Sequence, residues 1–595
     1  MKLDEGLASE PVKCGKDALL IHYFLLHTAI QNCHTFKRWR IIHNLLLEKL
    51  PGNPRIDKLR TIHLMEADYN GLLKLFMAKR LCHLAEKHGT IADEQGGGRA
   101  RRAAIDGAAL KVFSYELIRM TRTNATNVDD DATACFDRII ENQANMSCRR
   151  HGANRKFLKL HSQTIHQIRY HIKHKYGISD GYNSHPKADP FYGSGQGSGD
   201  SPARWVLISD PAIKAYNSEA HLWKVTHRDG RLSITLGVRL FIDDSNRILA
   251  SDPQVSVNEL VKRTQQNVDL WVGLIHATGG KLNASKSCWS MFIWGFTDDG
   301  APFLDDEQTQ DCCLTMLDHQ TNTRTDLKVT TPDEAVRLLG VRISMDGNTK
   351  AEESFAAEKC TKFAAILRAC PLTREDAYTA YHSSFLPSVT YPLPATFIAP
   401  QRLDLIQRDV TGAFLCKMGY NRNMPRSVVF APVEIGGVGY RSLSVEQGVG
   451  QVILLLKHIR ARTTLGIFML TTLEVYQLTA GLSRPVLEDT QVLPHTEGFW
   501  FDSVRSFLHD ITGSIKLEDP WCISPLQTND CHIMDDVLAR SNLTDDEICR
   551  FNRCRLFLKV TCLSELIDHT GKRFIPEALT GDIDAFGDPI LWQQG

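Results

Sequence analysis

Asp243 and Asp244 stand between two apolar runs, 238–242 and 248–250, in the stretch LGVRLFIDDSNRILA. The pattern predicts a β-hairpin with the acidic pair at its tip. Adjacent carboxylates repel, and a hydrophobic hairpin that holds them together calls for compensation, most directly a bound divalent cation. An ordinary solvated turn would use the same two residues, so their company decides. Two landmarks precede them: Asp131, which ends a run of three aspartates and is followed by Phe136 and Asp137, and the glycine-dense GSGQGSGDSP with Gln196, Gly197, Ser201 and Pro202. Nucleotidyl transfer uses two divalent ions roughly 3.5–4 Å apart. Their hard oxygen ligands must come from separate strands. An acid ending one strand and a pair on an adjacent hairpin would supply them.

The elements around these residues follow from hydrophobic period. HYFLLHTAI, RIIHNLLLEKL and NGLLKLFMAKRLCHLAEK show helical spacing. Pro-Gly and Asn-Pro break the chain after the second, and 56–64 reads as a strand or extended loop carrying Lys58 and Arg60. EQGGGRARRAA crowds Arg99, Arg101 and Arg102 behind three glycines, as a phosphate cradle or a solvated linker would. The segment 145–176 is basic with a helical apolar stripe, which fits a solvated face or a groove for a phosphate backbone. Ser201 is expected to cap a helix with Pro202 at its first position. A further helix is predicted from 257 to 278, ended by Gly279-Gly280. KLNASKSCWSMFIWGF reads as loop and strand, and DEAVRLLGVRIS as another strand. From Lys350 onward the patterns are long and helical, with a capping box at Thr544–Glu547. Cys549, Cys554, Cys562 and His569 match no standard zinc spacing and read as core.

At 595 residues the chain exceeds one core, so two to four packed units are expected. Lys plus Arg and Asp plus Glu both number 69, so any surface for a polyanion must be local. The 16 cysteines are scattered with no C-x-x-C pair, as in an intracellular protein with reduced thiols. No apolar run approaches the roughly 20 residues that span a bilayer. The expected location is therefore nucleus or cytoplasm, neither secreted nor in a membrane.

In order and spacing, the motifs resemble those of reverse transcriptases, specifically those of non-LTR, LINE-like retrotransposons, over about residues 39–344. DATACFDRI resembles the first palm motif, GSGQGSGDSP the second, FIDD the third, GGKLNASKSCW the fourth, and LLGVRIS the primer-gripping strand. KLRTIHL and EQGGGRARRAA resemble fingers motifs, and the C-terminal helices resemble the thumb more loosely. The resemblance implies metal ligation by Asp131, Asp243 and Asp244 with the Ala132 carbonyl, by two Mg²⁺ ions or by Mn²⁺. It places Phe136 under the incoming sugar to select deoxynucleotides, Gln196 and Gly197 at the nucleotide, Arg60 and Lys58 on the triphosphate, and Lys286 as proton donor to, or neutraliser of, pyrophosphate. Phe241, Ser201, Pro202 and Gly340 would lie along primer and template. Asp137 is expected to be structural. Phe241 replaces the commoner tyrosine of the third motif, and Asp129 and Asp130 add charge beside Asp131.

The fold class implied is α+β, a right-hand polymerase: fingers, a palm of antiparallel sheet backed by helices, and a thumb, followed by a mainly helical C-terminal region. The expected partition is 1–110 for the N-terminal helical region and fingers, 111–345 for the palm with the remaining fingers, 346–460 for the thumb, and 461–595 for helices of unassigned role. The expected activity is RNA-directed addition of dNTPs to a DNA primer on an RNA template. The oligomeric state is left open. The alternatives are a decayed or domesticated copy that binds nucleic acid without catalysis, which the intact aspartates weigh against, and an RNA-dependent RNA polymerase. No endonuclease, RNase H or Cys/His-knuckle pattern is found. The ending DPILWQQG is that expected of a fragment of a longer reading frame.

Overall fold

The computed structural model describes residues 16–575, apart from 50–51, 54, 134, 186–192, 228–229, 231, 252–254, 298–301, 306–311, 497, 526, 529 and 569. The terminal DPILWQQG, His569 and Ala134 of the first motif lie outside the described residues. In chain order, helix α1 (Lys16–Asn32) leads to strands β1 (Ile41–Glu48) and β2 (Leu59–Leu64), then to α2 (Ala67–Leu73), α3 (His83–Lys87) and the long α4 (Ala104–Thr121). Strand β3 (Ala125–Asp131), helices α5 (Glu141–Arg150) and α6 (Arg155–His166), and strands β4 (Arg169–His174), β5 (Gly177–Ile178) and β6 (Asn183–Ser184) follow. Helix α7 (Ser201–Glu219) precedes the hairpin of β7 (Trp223–Thr226) and β8 (Ser233–Leu236) and that of β9 (Arg239–Phe241) and β10 (Asp244–Ala250). Helix α8 (Val257–Ala277), strand β11 (Cys288–Phe292) and helix α9 (Lys350–Ala369) complete the elements around the site.

Two sheets organise the first part of the chain. The central one runs β11-β3-β10-β9, with the short strand Lys328–Val329 outside β11. The other runs β2-β1-β4-β5, with β6 also on β4. Side chains alternate across β3, so the central sheet has two covered faces. On one, Val128, Leu249, Trp289 and Met291 join a core with α7 and α8. On the other, Ala125, Ile248 and Phe292 join a core with α4. Helix α4 is buried from Ala108 to Thr121 because further helices close over it from behind. Phe113 packs on Trp500 and Phe501, and Glu116 accepts a hydrogen bond from the Trp500 N–H at 2.6 Å. The helices Thr464–Ala480 and Trp500–Asp510 therefore share a core with the central sheet. Helix α9, Pro400–Lys417 and the turns between them form another core around Tyr381, Phe414 and Tyr440.

Several expectations are corrected. RIIHNLLLEKL is strand β1: its Leu-rich run also suits a helix, but β2 on one edge and β4 on the other fix it as the middle of a sheet. The basic segment 145–176 is two helices and a strand, with β4 antiparallel to β5 and β6. DEAVRLLGVRIS is a hairpin, Val336–Leu338 with Val341–Ile343, turning at Leu339 and Gly340, both at positive φ. Helix α7 starts at Ser201, with Asp200 and not Ser201 before it, and the Ser201 hydroxyl donates to the Ser194 and Gly195 carbonyls. Among the described residues, no helix is long and apolar enough to cross a membrane.

Candidate active site

The three aspartates meet where two strands end. Asp131, the last residue of β3, pairs across the sheet with Asp244, the first of β10. Asp244 also pairs with Phe241 of β9, so Ile242 and Asp243 are the two central residues of the turn. Ile242 has φ +62°, a region that a β-branched residue adopts only when its surroundings impose it. Here they do. The Trp205 indole N–H donates to the Ile242 carbonyl at 2.5 Å, and the chain at 94–96 runs along β9 through Gly96 N–H to Leu240 O and Leu240 N–H to Glu94 O. A Cβ at Gly97 would lie 2.5 Å from the Ile242 nitrogen. The EQGGGRARRAA glycines are thus not a solvated linker but the seat of the acidic turn. Arg99 is buried there, paired with Glu86 at 2.6 Å, and Arg102 pairs with Asp93.

The main chain ties the acids together. The Ala132 N–H donates to the Asp243 carbonyl at 3.2 Å, Asn283 N–H to Asp131 O at 2.9 Å, and Thr133 N–H to Lys281 O at 2.7 Å. Lys286, carried on this last loop, places Nζ 2.6 Å from Asp131 Oδ2. Burial, then the charges of Asp243, Asp131 and Asp129, push the Asp244 carboxyl up to about 6. Burial raises Asp243 as well, with Asp131 adding to it, while its own N–H, Lys286 and Arg60 pull it back. Arg60, exposed on β2 of the other sheet, lies near enough for its charge to reach Asp243.

Asp129 and Asp130 are not part of this cluster. Asp129 takes two hydrogen bonds from the buried Lys111 of α4, at 2.8 and 2.7 Å, and one from Asn246. Asp130 points to the opposite face, 2.5 Å from Arg247, and burial raises its carboxyl. Each acid has its own cation, so Asp131 alone of the three is directed to the open end.

Hard oxygen ligands are what a Mg²⁺ or Mn²⁺ ion selects. Asp131, Asp243 and Asp244 offer only such donors, and burial together with their mutual repulsion raises the carboxyls of Asp243 and Asp244. The Lys286 ammonium, 65% exposed, is the cation that Asp131 holds here. Among the described residues no group of three or more His, Cys, Asp or Glu side chains converges as a metal site. The donor chemistry fits a divalent ion.

The glycine loop lies beside the turn. Ser194 N–H donates to Phe136 O, and Gly193 N–H to Ile139 O, which docks the loop on the segment after Asp131. Phe136 is half-buried against the α7/α8 core, and Asp137 is exposed. Gln196 is joined to β2 through its carbonyl, which accepts from His63 N–H at 2.7 Å. Beneath the loop lies a charged network the sequence did not disclose. Buried Arg204 pairs with Glu141 at 2.5 Å, and His161 lies between Tyr69 at 2.8 Å and Asp200 at 3.1 Å. Burial opposes ionisation of Asp200, but His161, Arg204 and Ser198 hold its carboxyl down at about 2. The network's residues come from α2, α5, α6 and α7, separated by tens of positions in sequence.

The structure thus brings together Asp131, Ala132, Asp243, Asp244, Lys286 and Arg60. Phe241 pairs with Asp244, Phe136 follows Asp131 by five residues, and Gln196 and Gly197 lie against His63 of β2. Lys58 is exposed at the turn before β2. Ser201 is buried and holds the loop, Pro202 is exposed at the start of α7, and Gly340 sits in its hairpin against Tyr391, whose hydroxyl donates to Leu339 O.

No family model matches the sequence, and no curated protein sequence matches it. Among solved structures the chain is similar to telomerase from Candida albicans in complex with a TWJ fragment of telomeric RNA, at 10% identity over 73% of this chain and 64% of that one, TM-score 0.34. It is similar to telomerase from Candida tropicalis in complex with a TWJ fragment of telomeric RNA, at 12% identity over 76% and 65%, TM-score 0.32. A Candida tropicalis apo telomerase truncated from its C-terminal domain matches at 10% identity over 53% and 63%, TM-score 0.30. The chain spans 63–65% of the length of these three.

Proposed function

We propose that the chain is an RNA-directed DNA polymerase of the retrotransposon, non-LTR type, which adds dNTPs to a primer 3′ end on an RNA template. The observation that carries this reading is the register of Asp131 opposite Asp244 with Asp243 in the adjoining turn, three electrostatically coupled carboxylates faced by Lys286 and Arg60. In this reading the central sheet with α4, α7 and α8 is the palm, the β2-β1-β4 sheet belongs to the fingers, and the helices from Lys350 form the thumb. The partition is 1–110, 111–345, 346–460 and 461–595.

Asp131, Asp243 and Asp244, with the Ala132 carbonyl, would hold the two divalent ions. When bound, the ions lower the pKa of the primer hydroxyl and neutralise the triphosphate. The chain's own groups do the rest. The paired strand ends hold the carboxylates in place through main-chain hydrogen bonds, so little reorganisation remains for the reaction. The Arg60 guanidinium offers a planar fork to phosphate oxygens. Lys286 exchanges its bond with Asp131 for the leaving pyrophosphate, where its ammonium can give up a proton. The Phe136 ring excludes a 2′-hydroxyl, and Gln196 and Gly197 border the sugar.

The test is primer extension on poly(rA)/oligo(dT) with dTTP and Mg²⁺, beside Asp243→Asn. Extension by the wild type alone is expected. Bound duplex without extension would replace the polymerase by a nucleic-acid-binding module, and incorporation of UTP in preference to dTTP would make it an RNA polymerase.

A further inference from the structure

We propose that His63 is a positioning residue that locks the glycine loop 193–200 onto β2, the strand that carries Arg60. The proposal deepens the polymerase reading and rests on it for its kinetic arm. His63 contributes in three ways. Its N–H donates to the Gln196 carbonyl at 2.7 Å, which ties the loop to the outer edge of β2. Its ring lies where a side chain at residue 195 would be: a Cβ on Gly195 would sit 2.0 Å from His63 Nδ1. Its carbonyl lies where a side chain at residue 197 would be, 2.4 Å from a Cβ on Gly197. Gly195 and Gly197 have φ of +68° and +112°, so the loop is shaped to receive this one residue on both sides of Gln196.

The interlock is backed on each side. Tyr170 of β4 packs its ring 5.2 Å from the His63 ring and accepts or donates at His185 Nε2, 2.7 Å away. Burial lowers the His63 pKa, which keeps the ring neutral beside His185 at neutral pH. On the loop's far side, the Asn70 amide donates to Gly197 O at 3.3 Å and its carbonyl accepts from Gly199 N–H at 2.5 Å. Three residues before His63 on the same strand stands Arg60, whose charge reaches Asp243. A shift of the loop on His63 therefore changes the spacing between Gln196 and Arg60. In the polymerase reading these are the sugar-side and phosphate-side contacts of one nucleotide.

The experiment is a double-mutant cycle in the full chain with His63→Ala, Gly195→Ala and the pair, with His63→Asn as a variant that keeps polar bulk. Hydrogen–deuterium exchange of peptides covering 193–200 is one readout, and KM and kcat for dTTP on poly(rA)/oligo(dT) are the other. His63→Ala is expected to speed exchange in 193–200 and raise KM about tenfold with kcat within about twofold, because it displaces a ligand-orienting loop without touching the reacting atoms. His63→Asn should fall between. Gly195→Ala should do the same, and the pair should be no worse than Gly195→Ala alone, because the removed ring leaves room for the methyl. Unchanged exchange in His63→Ala, or strictly additive effects in the cycle, overturns the interlock. An equal fall of kcat and kcat/KM in His63→Ala overturns the positioning role in favour of a direct one. Failure of the wild type to extend a primer overturns the polymerase reading instead, and the exchange arm then decides the interlock by itself.

Discussion

Asp244→Asn tests the charge stored at the strand ends. The Asp244 carboxyl moves from an ordinary 3.8 to about 6. A little over two units corresponds to ~3 kcal/mol for an enclosed group, which solvent at this open strand end reduces to about 1–2 kcal/mol. The folded pKa lies above the unfolded one, so the folded state binds this proton more tightly. The cost is absent below pH 3.8, grows as the pH rises toward 6, and is constant above that. Asparagine carries no charge and removes it. Asp244→Asn should therefore melt about 1–2 °C above the wild type at pH 8 and at the same temperature near pH 4. A divalent cation offsets the same repulsion in the wild type, so Mg²⁺ should raise the wild-type Tm at pH 8, do less at pH 5, and do less in Asp244→Asn at either pH. Scanning fluorimetry across pH 4–8 with and without Mg²⁺ reads all of these. An Asp244→Asn variant less stable than the wild type at pH 8, or a gain equal at pH 4 and pH 8, would refute the reasoning.

Asp131→Asn and Asp243→Asn should abolish primer extension with unchanged circular dichroism; retained synthesis in either would sink the assignment. Gly97→Ala puts a methyl carbon 2.5 Å from the Ile242 nitrogen, so the acidic turn must shift; extension should fall about 10²-fold while near-ultraviolet dichroism is kept. Lys111→Met leaves Asp129 buried without its cation and should cost about 3–5 kcal/mol in urea unfolding, with part recovered when Asp129→Asn is added. Phe136→Ala should raise UTP use relative to dTTP about tenfold, read by single-nucleotide incorporation.

The acidic hairpin was legible because its signal is local. Apolar runs on both sides of two acids specify a turn, and only its position moved by one residue, so that Asp244 opens β10 instead of sharing the tip. The long α8 was legible for the same reason, with Ser256 capping it and Gly279 at positive φ beyond its end. β1 was not, since a run of leucines fits either period and its neighbours in the sheet come from 59–64 and 169–173. The run Asp129-Asp130-Asp131 carried three identical residues whose different fates were set by Lys111, Arg247 and Lys286, from 18 to 155 positions away. Nothing in their own spacing could distinguish them. The glycines at 96–98 and the pair Gly195 and Gly197 read only as loops in the sequence, because the partners they admit, Ile242 and His63, lie far off in the chain.

A division of labour follows from how each group is held. The anionic side of the site is fixed by the backbone: Asp131 and Asp244 are paired residues of one ladder, and Ala132 N–H and Asn283 N–H bind the two strand ends to each other and to the loop after α8. The cationic side is held only by long side chains on exposed positions, Lys286 on that loop and Arg60 on another sheet. Rigid anions can receive ions in a set geometry, whereas mobile cations suit a ligand that arrives, changes charge and leaves. In the polymerase reading the ammonium on Asp131 offsets part of the site's negative charge while no ion is bound, and an ion that takes Asp131 would release Lys286. A Lys286→Met variant should accordingly gain more Tm from Mg²⁺ than the wild type does, because Asp131 then meets the ion with no competing cation; an equal gain in both would show that Lys286 and the ion do not share that oxygen.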